Sequence, residues 1–151
     1  MTEKKIQIYC DGACSGNQFN KNTGGWGAVL IYKEYTKSIF GGERDTTNQR
    51  MEITACIKAL ESLKEDNIDV DVYSDSAYLV NCMNEKWYEN WIKNDWRNSK
   101  KKSVENQDLW MRLIELIGTY KVSFHKVNSH SGNENNEMAD NLAQRGIQKI
   151  Q

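Results

Sequence analysis

Four acids stand where the pattern around them calls for something else. Asp11 follows a strand-like run in which Ile6, Ile8 and Cys10 share one face. Asp75 follows the short run Val70–Ser74 in the same way. In an open sheet with parallel strands, the carboxyl ends of the strands are where ligands bind. Glu52 falls on one helical stripe with Ala55, Ala59 and Leu63, and Asp140 on another with Ala143 and Ile147. Both therefore point toward a core, where a carboxylate must be paired, protonated or bound to a metal. Singly, each has a plain reading as a turn residue, a helix cap or a solvated acid. Together, four inward acids repel one another unless cations hold them. An oxygen-rich set without a Cys or His cluster favours Mg²⁺ or Mn²⁺. Two such ions, roughly 3.5–4 Å apart, are suited to in-line attack of water on a phosphate. His130 lies ten residues before Asp140 in a polar Ser-Gly-Asn setting and is a candidate proton carrier.

The elements that must position these groups follow from periodicity. Strands are expected at 4–10, 24–33, 35–42, 70–74 and 121–127, with 11–25 as a Gly- and Asn-rich loop. Helices are expected at 47–63, 76–83, 86–97, 104–117 (stopped by Gly118) and 137–150. Strands first, then strands alternating with helices, make an α/β fold with a mixed sheet and helices on its faces. The 151 residues fit a single domain spanning 1–151, large enough for a core without disulfides. Cys10, Cys14, Cys56 and Cys82 have neither CxxC nor zinc-site spacing, so reduced thiols in a cytoplasmic protein are expected. No leader-like or membrane-spanning apolar run is present. The net charge of −1 does not suggest nucleic acid, but Lys93, Arg97, Lys100, Lys101 and Lys102 crowd one segment. Such a patch is either a solvated face or a phosphate footprint. Trp91, Trp96 and Trp110, at helical spacing, read as packing residues.

Four blocks, in order, carry a resemblance: Ile-Tyr-Cys-Asp-Gly-Ala-Cys at 8–14, Thr-Thr-Asn-Gln-Arg-Met-Glu at 46–52, Tyr-Ser-Asp-Ser at 73–76 and His-Ser-Gly-Asn-Glu-Asn-Asn-Glu-Met-Ala-Asp at 130–140. The chain resembles type 1 ribonuclease H of the bacterial kind over almost its whole length. The resemblance implies a ribonuclease H-like fold, a five-stranded mixed sheet flanked by helices. It implies Asp11, Glu52, Asp75 and Asp140 as the set binding two Mg²⁺ (or Mn²⁺). It also implies hydrolysis of the RNA strand of an RNA–DNA hybrid to 5′-phosphate and 3′-hydroxyl ends. His130 matches a loop histidine assisting proton transfer or product release, and Glu137 an acid near it. Cys14, Asn17 and Gln49 match positions facing the RNA strand, and Asn48 one in the groove between the strands. Thr47 and Asn106 match a pocket for a DNA-strand phosphate, and Tyr78, Trp87 and Ser99 a channel for the DNA strand. The segment from Lys86 to Lys102 matches a basic protrusion, which gives its lysines sequence-independent phosphate contacts.

This chain departs from the pattern in three places. It has no proline in the 18–23 loop, Asp45 where relatives often carry arginine, and Ser129 before the histidine. Three other readings stand beside the leading one. They are a DNA-directed nuclease of the same superfold, a hybrid-binding module without catalysis, and a cysteine redox role. The expected partner is the hybrid alone: no membrane, no obligate protein partner, and a monomer.

Overall fold

The computed structural model describes residues 5–16, 22–128 and 132–150. Five strands, β1 (Lys5–Ser15), β2 (Thr23–Tyr32), β3 (Tyr35–Arg44), β4 (Asp69–Ser74) and β5 (Lys121–Lys126), form one sheet in the order β3-β2-β1-β4-β5. β1, β2 and β3 are antiparallel neighbours, whereas β4 lies parallel to both β1 and β5. The helices are α1 (Asn48–Glu61), α2 (Ala77–Glu85), α3 (Trp87–Lys93), α4 (Gln107–Thr119) and α5 (Glu134–Ile150). The expected α/β architecture and five-stranded mixed sheet are present.

Alternation along β1 builds two cores. Ile8 and Cys10 are fully buried in the larger one, with Ile53, Cys56 and Leu60 of α1 and Leu79, Trp110 and Leu113 of α2 and α4. Tyr9 faces the other way and joins Val29 with Ala139 and Leu142 of α5. Trp110 is packing, as expected, and Trp91 and Trp96 pack partly buried against the same core.

Several boundaries differ from expectation. The segment 11–15 is strand, not loop, because β2 pairs with it through Gly12↔Trp26, Ala13↔Gly25, Cys14↔Gly24 and Ser15↔Thr23. Long-range pairing overrides the turn character of Asp-Gly. Asp11 is thus not at the end of its strand, but two residues past its last parallel pair with β4, Tyr9↔Tyr73. The helix expected at 86–97 stops at Lys93, since Asp95 and Trp96 both take left-handed backbone. Gly118 does not end α4, which starts at Gln107 and runs on to Thr119. α5 begins at Glu134, three residues early, because the Asn133 carboxamide oxygen accepts from the Asn135 and Asn136 amides.

Candidate active site

One end of the sheet gathers the acids. Asp11 lies within β1, two residues past its last pair with β4, and Asp75 follows the last residue of β4. Glu52 stands in the first turns of α1, whose N-cap Thr47 accepts the Arg50 amide at 3.1 Å. Gly12 lets that helix approach: a Cβ there would lie 2.4 Å from both the Met51 carbonyl carbon and the Glu52 nitrogen. Carboxylate oxygens of Asp11, Glu52 and Asp75 lie within 4.8 Å of one another. Asp140, on α5, lines the same cleft of about 400 Å³ but stands outside that trio. α5 sits close to β2, where a Cβ on Gly25 would meet the Ala143 carbonyl oxygen.

The electrostatics are those of crowded, partly dehydrated acids. Asp11 and Glu52 are buried, Asp75 and Asp140 half-buried. Burial, then the charges of Asp75 and Asp140, push the Asp11 carboxyl up to about 7. Glu52 is raised well above the usual range, first by burial and then by Asp11 and Asp75. The Gly12 amide donates to Asp11 Oδ1 at 2.9 Å. Glu52 Oε2 is buried with no hydrogen-bond partner, a cost that a bound cation would remove. An all-oxygen donor set with an orphaned buried oxygen fits a hard divalent metal.

Other sequence-predicted residues divide into two groups. Asn48, Gln49 and Tyr78 line the cleft beside the acids, together with Ser76 and Ala77, which sequence reasoning passed over. Cys14 is half-buried, its thiol pointing to the Thr46 carbonyl at 3.7 Å. Asn106 contacts Tyr78 Oη at 3.2 Å. Trp87 and Ser99 are not among the residues lining the cleft. The indole of Trp87 donates to Glu85 and its ring meets Trp91 edge-on, while Ser99 sits in an exposed turn. Lys86, Lys93, Arg97, Lys100, Lys101 and Lys102 are all exposed on the segment expected to protrude. A bridge between Arg97 and Ser103 closes its tip, and the Asn98 side chain accepts the Lys100 and Lys102 amides. Asn17 and His130 lie outside the described residues. Burial raises the Cys14 thiol and takes Cys82 up to about 12, while a hydrogen bond to Cys56 and burial raise Cys10. These shifts run against thiolate chemistry.

The RNase H family model matches residues 3–148. The chain belongs to the RNase H family. A ribonuclease H of Syntrophomonas wolfei subsp. wolfei is 52% identical over 147 residues, covering 97% of this chain and 99% of the relative. The crystal structure of LC9-RNase H1, a type 1 RNase H with the type 2 active-site motif, superposes with a TM-score of 0.88. It shares 25% identity and covers all of this chain and 75% of its own. LC11-RNase H1, in a crystal structure with an RNA/DNA hybrid, shares the fold at a TM-score of 0.70. It has 23% identity, covering 96% of this chain and 98% of that one. The chain is thus an enzyme of the ribonuclease H family, whose members are hydrolases acting on RNA–DNA hybrids. No helix among the described residues is long and apolar enough to cross a membrane.

Proposed function

We propose that this single-domain enzyme cuts the RNA strand of RNA–DNA hybrids by two-metal-ion hydrolysis, leaving 5′-phosphate and 3′-hydroxyl ends. The observation that carries the reading is the trio Asp11, Glu52 and Asp75 within 4.8 Å, with Asp140 on the same cleft. These four would hold two Mg²⁺, or Mn²⁺ in its place. Bound there, the ions would supply an activated water and charge stabilisation at the phosphate.

The protein's own groups fix the geometry around that chemistry. The Gly12 amide orients Asp11. Asn48 and Gln49, exposed at the start of α1, meet the strands next to the acids, and Cys14 and Asn17 face the RNA, where a 2′-hydroxyl marks the substrate. Thr47 and Asn106 receive a DNA-strand phosphate. Tyr78, Trp87 and Ser99 follow that strand toward the protrusion, whose cations add affinity without reading sequence. His130 moves a proton or helps release product. The enzyme works as a cytoplasmic monomer.

The test is cleavage of one labelled RNA strand offered as hybrid, as RNA duplex and alone, with Mg²⁺ or with EDTA. Cutting confined to the hybrid and to Mg²⁺ supports the proposal. Cutting of a matched DNA duplex would move the enzyme to the DNA-directed relatives. Binding of the hybrid without cutting would make it a binding module.

A further inference from the structure

Beside the cleft runs a chain of polar contacts in which every donor and acceptor can be assigned. Arg50 pairs with Asp108 through two bonds, Nη1 to Oδ1 at 3.0 Å and Nη2 to Oδ2 at 2.8 Å. Nη1 also donates to Asn106 Oδ1 at 3.3 Å, and Asn106 Nδ2 donates to Tyr78 Oη at 3.2 Å. The backbone amide of the same Arg50 donates to Thr47 Oγ1 at 3.1 Å. The Arg50 side chain on α1 thus holds Asn106 of the loop before α4, and through it Tyr78 of α2, while the bond to Thr47 belongs to the α1 backbone.

Direction follows from the chemistry of the groups. A guanidinium only donates, so the Asn106 atom facing it is the carbonyl oxygen and the amide nitrogen points away. One Nδ2 hydrogen goes to Tyr78, leaving the second for another acceptor. The Tyr78 and Thr47 hydroxyls each accept a bond, so each retains its own hydrogen to give. Asn106 immediately precedes α4 with left-handed backbone (φ 63°), yet its side chain makes no cap bond to that helix. Its oxygen is spent on Arg50 instead of on the orphan amides that an asparagine there ordinarily serves. The fork from Asp108 meanwhile offsets the charge of Arg50: the pairing raises the guanidinium pKa and holds Asp108 below the usual carboxylate range.

We propose that Arg50, anchored by Asp108, is a positioning residue that locks Asn106 with its amide nitrogen outward, so that Thr47, Asn106 and Tyr78 present donors to the DNA-strand backbone. The proposal rests on the proposed function, in which Thr47 and Asn106 receive a DNA-strand phosphate. Arg50 acts here through Asn106 and is not itself the phosphate ligand, which separates two outcomes by sign. A direct phosphate contact from Arg50 would be strengthened by removing its acidic partner, whereas a positioning role would be lost.

The experiment measures steady-state cleavage of a hybrid, and hybrid binding against salt, in Asn106→Ala, Arg50→Met, Asp108→Ala and the doubles Arg50→Met/Asn106→Ala and Asp108→Ala/Asn106→Ala. Each single change is expected to raise KM several-fold with kcat within about twofold. The Arg50 and Asp108 changes should leave the salt slope unaltered and add nothing to Asn106→Ala. Arg50→Lys keeps an ion pair but has no second arm for Asn106. It should raise KM with an unchanged unfolding midpoint, which tests the role even if Arg50→Met folds poorly. A salt slope smaller by about one in Arg50→Met would make Arg50 a phosphate ligand and overturn the proposal. So would a lower KM in Asp108→Ala, or full additivity in the doubles. An active parent whose KM is untouched by Asn106→Ala would remove the phosphate pocket. A parent that leaves hybrids uncut would bring down the underlying reading as well.

Discussion

The acid cleft and the basic protrusion solve opposite problems. Asp11 and Glu52 are buried at the junction of β1 and α1, and the backbones there are too close to admit a Cβ on Gly12. The protrusion carries its cations exposed, on a three-way break of backbone direction at Lys86, at Asp95 and Trp96, and at Lys101, all left-handed. Groups held against their own desolvation and repulsion need a rigid frame, because a small displacement changes the chemistry. In the proposed function these cations only need to meet a phosphate backbone, and for that they can ride on long side chains over a surface turn.

The largest way to break this contrast is Asp11→Asn. Losing a ligand removes several kcal/mol of transition-state stabilisation, so cleavage should fall on the order of 10³-fold or more. Hybrid binding, measured by anisotropy in the same variant, should stay close to that of the parent. Parent-like cleavage would end the metal-site assignment. Next comes Gly12→Ala, whose Cβ has backbone to displace. About 2–3 kcal/mol of stability should be lost in urea unfolding, and a change under half a kilocalorie would show the frame is softer than the packing implies. Replacing Lys100, Lys101 and Lys102 together with Ala should weaken binding about tenfold and lower the salt slope by about one for each phosphate no longer neutralised. The kcat should be retained, and an unchanged slope would take the protrusion out of substrate binding.

The smallest effect sharpens the electrostatic half of the comparison. The folded Asp11 carboxyl titrates near 7, above its ordinary 3.8. The folded state therefore binds more protons than the unfolded one between these values. Metal-free stability from this group declines as pH rises from about 4 to about 7, and Glu52 acts in the same direction. A divalent ion needs the ionised carboxylates. The rise in melting temperature on adding Mg²⁺ should therefore be a few degrees larger at pH 8 than at pH 5. An equal rise at both would separate metal binding from these acids.

Asp11 and Asp75 stood out because each follows a strand-like run, and Glu52 and Asp140 because each interrupts an apolar helical stripe; the fold brings all four to one cleft. The same local reading failed where partners distant in sequence decide. Asp-Gly-Ala-Cys-Ser reads as a turn until Gly24 and Gly25 of β2 pair with it. Gly118 reads as a stop, but α4 continues for a further residue before the chain turns into β5. Arg50 and Asp108 were invisible. They are 58 positions apart, and a polar residue at the mouth of a helix announces no partner.

β1 serves two neighbours in turn: β4 through Tyr9, and β2 on to Ser15. The β1–β2–β3 meander closes over short distances, whereas β1 and β4 pair across the span from Lys5 to Asp69. The meander is complete in sequence at Arg44, before Glu52, Asp75 and Asp140 are made, so during synthesis Asp11 at first has none of these three companions. Pairing over such separations comes late in folding. The acid cleft is thus completed only when segments from both halves of the chain are present, and a half-made chain carries no complete set of the four acids.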